Sequence, residues 1–221
     1  MNVKTAIVVT IIIFASLFVY AYLSSQDDTI RVYNPSDNKT YQVRRANSLT
    51  AYTPLNALTV TSKPVNDDTR TAVQYLAELN TRINTLVDYM YTESLPNIYI
   101  AQRLKSRWSR CKLRETSSWD SSVASTINKG TELRICIRGA DGFEDMNTSM
   151  FVILHELAHI MSESYGHNDE FYENFSYVTH LASYLGLYKP ENFALKPKTY
   201  CGFSIKTTPC SEGTCVYNDK N

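Results

Sequence analysis

Apolar residues recur every three or four positions between Val73 and Met90: Val73, Leu76, Leu79, Ile83, Leu86, Val87 and Met90. That spacing lines one face of a helix. It predicts a core-facing amphipathic helix that starts near Asp67-Asp68, which serve as capping residues. A shorter helix is predicted from Pro96 to Trp108. The period then changes to two. In TELRICIR, Thr131 to Arg138, residues Leu133, Ile135 and Ile137 face one way, and Arg134, Cys136 and Arg138 face the other. This predicts a half-buried antiparallel strand at a sheet edge. SSVASTI lies before it, across Asn128-Lys129-Gly130, a turn with glycine where positive φ is wanted, so the two runs predict a hairpin. From Phe151 to Met161 the chain is apolar nearly all round. A buried helix is expected there, capped by Asp145 or Asn147 and running to about Ser164. Tyr165-Gly166 ends it. A further helix is expected from about Asn168 to Leu187, and Pro190 and Pro197 punctuate the segment after it.

The N-terminus reads differently. Thr5 to Leu23, TAIVVTIIIFASLFVYAYL, contains no charged residue. At ~1.5 Å per residue its length matches a bilayer core of ~30 Å. A cleaved signal peptide and an uncleaved anchor both fit. The length of the run and the large residues at its end (Phe18, Tyr20, Tyr22) favour the anchor. Lys4 precedes the run and Asp27-Asp28 come after it, so the N-terminus is expected in the cytosol of a single-pass membrane protein, in a host or virion membrane. Residues 25–66 are rich in Ser, Thr, Asn, Asp and Pro and are read as a polar stalk or linker. The expected plan is an anchor over 1–24, the stalk over 25–66, a folded domain over 67–200 and a cysteine-containing tail over 201–221.

Composition adds limits. Of 221 residues, 43% are hydrophobic, enough for one sizeable core. Lys+Arg and Asp+Glu are both 22, so global charge points to no nucleic-acid partner. Five cysteines cannot all pair within one chain. Cys201, Cys210 and Cys215 cluster and offer one local disulfide; with no CxxC pair, a cysteine zinc site is disfavoured. Of three glycosylation sequons, Asn38 lies in a polar stretch, whereas Asn147 and Asn174 fall in predicted helices and are read as chance matches.

The candidate chemistry lies in FVILHELAHIMSESYGHNDEF, Phe151 to Phe171, which holds three of the chain's four histidines. His155 and His159 are spaced i, i+4, which puts both imidazoles on one helix face, able to share a tetrahedral metal ion. Glu156 is next to the first. In this H-E-x-x-H arrangement zinc lowers the pKa of a water and the carboxylate acts as general base. Burying two histidines and a glutamate without partners is costly, and a metal removes that cost. Zinc with an open catalytic position takes a third protein ligand, for which His167, just past the glycine turn, is the candidate. Asp169, Glu170 and Glu173 are the fallbacks. His180 is read as a surface or packing histidine. Tyr165 and Tyr200 are candidate donors to a transition-state oxyanion. The strand TELRICIR, taken as an edge, would let an extended peptide substrate pair with it.

His155, Glu156, His159, His167 and Phe171 match a pattern of H-E-x-x-H, a short spacer and H-x-x-x-F. In this the chain resembles the WLM/SprT-like zincin metallopeptidases. It is more closely similar to uncharacterised WLM-like proteins of large nucleocytoplasmic DNA viruses, which share an INKG-type turn (Ile127 to Gly130), a strand ending in CIR (Cys136 to Arg138) and a late YCG (Tyr200 to Gly202). The resemblance spans about Thr126 to Pro209. It implies a compact α+β zincin-like domain with a small antiparallel sheet, a bound Zn2+ and hydrolysis of peptide bonds in a polypeptide substrate. It also implies a viral protein.

One basic run stands apart: RLKSRWSRCKLR, Arg103 to Arg114. It reads first as a solvated helix face and loop, and second as a contact for nucleic acid or anionic lipid. The leading expectation is a membrane-anchored zinc peptidase with metal ligands His155, His159 and His167 and catalytic Glu156. The alternative is a catalytically silent, zinc-stabilised virion membrane or interaction protein.

Overall fold

The apolar N-terminal run lies in helix α1 (Val3–Ser25) of a computed structural model, which describes residues 3–25, 28–45, 67–117, 120, 122–139, 142–206 and 209. Among the described residues no helix is long and apolar enough to cross a membrane. The expected single-pass anchor over residues 5–23 is corrected accordingly, together with the membrane partner and the localisation drawn from it.

The polar segment expected to be irregular instead opens the sheet. Strands β1 (Thr29–Asn34) and β2 (Lys39–Arg44) pair antiparallel, Thr29 opposite Arg44 through Asn34 opposite Lys39. Tyr41 and Val43 point from β2 into the core, and Ile30 and Val32 of β1 pack against it. The turn uses Asn38 at positive φ, a conformation asparagine tolerates, and its side chain accepts the Tyr33 hydroxyl at 2.7 Å. The rest of the expected linker, 46–66, lies outside the described residues.

Helices α2 (Asp67–Thr92) and α3 (Ile98–Trp108) come next, the second capped by the Asn97 side chain. They return the chain to β3 (Lys112–Glu115), which was hidden at the end of the basic run. β4 (Ala124–Ile127) and β5 (Glu132–Ile135) form the expected hairpin, with Asn128, Lys129 and Gly130 all at positive φ. Strand order is β1-β2-β3-β5-β4. β2–β3 and β3–β5 are parallel, because the α2–α3 crossover and the β4 hairpin return the chain in the same direction. The α+β class holds, but the main sheet is mixed rather than antiparallel. The edge expectation is also corrected. β5 lies inside the sheet between β3 and β4, and β4 is the edge.

Short pairs β6 (Arg138–Gly139) with β7 (Gly142–Phe143), and β8 (Lys198–Tyr200) with β9 (Phe203–Ile205), flank the last helices. These are α4 (Met146–Met161) and α5 (Asp169–Tyr184). The core sits between α2, α4 and the sheet: Leu76, Leu79 and Ile83 meet Leu133, Ile135, Ile153 and Leu157, all fully buried. Cys201 pairs with Cys136, not within the tail as expected; Cys111 is free, and Cys210 and Cys215 lie outside the described residues.

Candidate metal centre and active site

α4 starts where Asp145 accepts the backbone N–H of Thr148 at 2.9 Å. It ends at Ser162, whose backbone N–H reaches the Ala158 carbonyl. The last carbonyls of such a helix need donors. Arg103 supplies one to Met161 at 2.7 Å, and Arg107 bonds Ile160 at 2.6 Å and Ser162 at 3.1 Å. Two cations of the basic run therefore cap the motif helix. Lys105 pairs with Asp88, and Arg114 pairs with Glu132. Arg110 folds back on Ser106 in the last turn of α3. The run is not a free cationic stripe, so the first of its two readings, as ordinary protein surface, fits it better.

His155 and His159 stand one turn apart on α4, and the loop 162–168 folds His167 over them. The His167 Nε2 atom lies 3.0 Å from His155 Nε2 and 3.2 Å from His159 Nε2. Among the described residues these three form the group able to hold a metal ion. Three imidazole nitrogens this close need a proton or a cation among them. Ligands of a tetrahedral zinc at ~2.0–2.1 Å stand roughly 3.3 Å apart, so the donor set and its spacing fit zinc. Phe171, fully buried on α5, supports all three rings, with centroids 4.8, 4.4 and 4.6 Å from His155, His159 and His167. Burial, then the neighbouring histidines, lowers the pKa of His155 to about 3. Burial, then His167 and Lys129, lowers that of His159 to about 4. Both rings are neutral at pH 7, the form that ligates metal.

Glu156 is 6% exposed, and burial raises its pKa to about 7. Its Oε2 accepts the Thr126 hydroxyl at 2.8 Å, from the edge strand β4. Among the described residues its Oε1 accepts no hydrogen bond, which leaves that oxygen to take a proton. Sequence reasoning missed Thr126; its signal is only that it lies in a strand preceding the motif helix.

The other candidates do not join the cluster. Glu170 instead organises the loop that carries His167: it accepts the backbone N–H groups of Glu163 at 2.7 Å and Ser164 at 3.0 Å, and also the Ser164 hydroxyl. Burial pushes its carboxyl up, but these bonds and Arg103 outweigh that and lower its pKa to about 2. Asp169 and Glu173 are not part of the metal-binding group, and His180 is exposed on α5. Tyr200 does not return to the site. It is fully buried, and its hydroxyl bonds the Cys136 carbonyl and Ser149. Tyr165 is 81% exposed, with Lys129 4.2 Å from its ring centroid. Asn147 and Asn174 spend their amides inside the fold, on Lys189, Glu191 and Ser162, as chance sequons would.

Glu170 makes stability depend on pH. Its folded pKa lies below the unfolded value, so its contribution to stability is complete above about pH 4.5 and is lost as pH falls towards about 2. Glu170→Gln should therefore be less acid-sensitive than the parent between those values, read from urea midpoints across that range. Equal slopes would mean that the carboxylate does not organise the loop.

No family model matches the chain. It is similar to uncharacterized protein R325 of Acanthamoeba polyphaga mimivirus, with 29% identity over 142 residues, 61% of this chain and 71% of that one. It is similar too to uncharacterized protein 136R of Invertebrate iridescent virus 6, with 38% identity over 82 residues, 34% of this chain and 43% of that one. Among solved structures it is similar to a Wss1 mutant from Saccharomyces cerevisiae, with a TM-score of 0.40 and 19% identity over 58% of this chain and 90% of that one. Wss1 from S. pombe gives a TM-score of 0.35 and 24% identity over 51% of this chain and 81% of that one. The resemblance read from the motif is borne out. It reaches these two viral proteins.

Proposed function

We propose that the chain is a zinc-dependent peptidase. The observation that carries this reading is the convergence of three imidazole nitrogens beside one buried carboxylate. His155, His159 and His167 would hold the ion. When bound, zinc acidifies a water and polarises a carbonyl oxygen. Glu156 takes a proton from the attacking water and returns it to the leaving amine nitrogen. Thr126 fixes the rotamer of that carboxylate through Oε2. Among the described residues β4 leaves one side of the sheet unpaired, and an extended polypeptide can add there by backbone hydrogen bonds, bringing its scissile bond past Thr126 to the histidines. The edge assigned to TELRICIR from the sequence thus passes to β4.

The test is elemental analysis of the purified full chain beside His155→Ala/His159→Ala. The expected result is about one zinc per parent chain and none in the variant. A folded parent that takes up no zinc, even after incubation with it, would sink the reading.

A further inference from the structure

The sheet is not evenly joined. β1 meets β2 through six residue pairs, and β3 meets β5 through four, but β2 meets β3 only where Gln42 faces Arg114. Towards the start of both strands they diverge, and a cavity of about 510 Å3 opens between them, backed by side chains of α2 and α3. Its charge is one-sided. Arg31, Lys39, Lys105, Lys112 and Arg114 line it against one carboxylate, Glu132. That carboxylate is already shared by Arg114 at 2.9 Å and Arg134 at 2.6 Å. Lys105 has Asp88 as a partner. Arg31, Lys39 and Lys112 have no ion pair among the described residues. The chain as a whole carries no net charge, so this is a local concentration of cations in a concave place, where field lines focus. Asn84 also lines the cavity; its Oδ1 is taken by Trp108 Nε1 at 2.8 Å, which leaves its amide N–H groups to donate. None of the cavity's residues belongs to the histidine cluster.

We propose that this cleft binds a polyphosphate chain, free or carried by a nucleotide. The volume is that of a small-molecule site, roughly 300–1,000 Å3. Three unpaired cations and two partly paired ones match the several negative charges of a di- or triphosphate. A polynucleotide is a poorer fit. It needs a track of cations, and Arg103, Arg107 and Arg110, which would extend the run beyond the cleft, are spent on α4 and on Ser106.

The experiment is calorimetric titration of the full chain, without magnesium, with tripolyphosphate, with ATP and with a single-stranded oligonucleotide. Lys39→Ala/Lys112→Ala removes two exposed cations of the cleft. Lys189→Ala/Lys196→Ala removes the same charge elsewhere. The expected result is saturable binding of tripolyphosphate or ATP, weakened at least tenfold in the first variant and unchanged in the second. Equal affinity for the two ligands assigns the site to the phosphate chain; tighter ATP assigns it to a nucleotide. The proposal is overturned by no binding of either at ~1 mM, by equal losses in both variants, by no loss in the cleft variant, or by binding of the oligonucleotide alone.

Discussion

Glu156→Gln retains bound zinc and lowers peptide hydrolysis by roughly 10²–10⁴-fold, the range expected when a positioned general base is lost. The amide keeps the size of the carboxylate and can still accept from Thr126, so the fold is undisturbed. What it cannot do is take a proton. The measurement is initial rates of cleavage of an unfolded protein substrate, with zinc content measured on the same samples. Activity equal to the parent would remove Glu156 from the mechanism. Thr126→Val belongs beside it. Losing the 2.8 Å bond to Oε2 lets the carboxylate rotate away. The expected result is a fall of about tenfold in kcat with zinc retained, restored by Thr126→Ser, which keeps the hydroxyl.

The second large effect concerns stability. Glu115 is fully buried and holds two guanidinium groups. It accepts Arg44 Nε at 3.0 Å, the Arg44 backbone N–H at 2.7 Å, and Arg138 Nε and Nη2 at 2.8 and 2.7 Å. Arg138 reaches on to Asp68 at the start of α2. The network joins β2, β3, β6 and α2. Glu115→Ala leaves the buried Arg138 and the partly exposed Arg44 short of countercharge and should cost about 3–5 kcal/mol, read from the urea midpoint of the metal-free protein. Glu115→Gln keeps an acceptor and should cost less. A loss below about 1 kcal/mol for the alanine variant would mean that Asp68 and water neutralise the pair unaided.

The helices were legible because their apolar runs are long. Val73 to Met90 repeats a helical period over several turns, and Phe151 to Met161 is apolar nearly all round. The three histidines were legible because sequence spacing on one helix and across one glycine turn translates directly into distance. The β1–β2 hairpin was not, although Tyr41 and Val43 alternate: only two residues per strand face the core, and the surrounding Ser, Thr and Asn read as linker. β3 is four residues long and sits within a run of cations, so its parallel pairing with β5 had no local signal. That pairing moved the free edge from TELRICIR to β4. Thr126 and Glu170 matter through partners 30 and 6 residues away, a relation set by packing and not by pattern.

The bond between Cys136 and Cys201 spans 65 residues. All three histidines, Glu156 and both helices that carry them lie within the ring it closes. Closing a loop of that size removes freedom from the unfolded chain worth about 4 kcal/mol in the chain-entropy description. The proposed activity would expose the chain to cuts by itself as well as by others. A single nick anywhere inside this ring leaves one covalent molecule, with both fragments still tethered at the end of β5 and the β8–β9 hairpin, so the halves of the centre can find each other again.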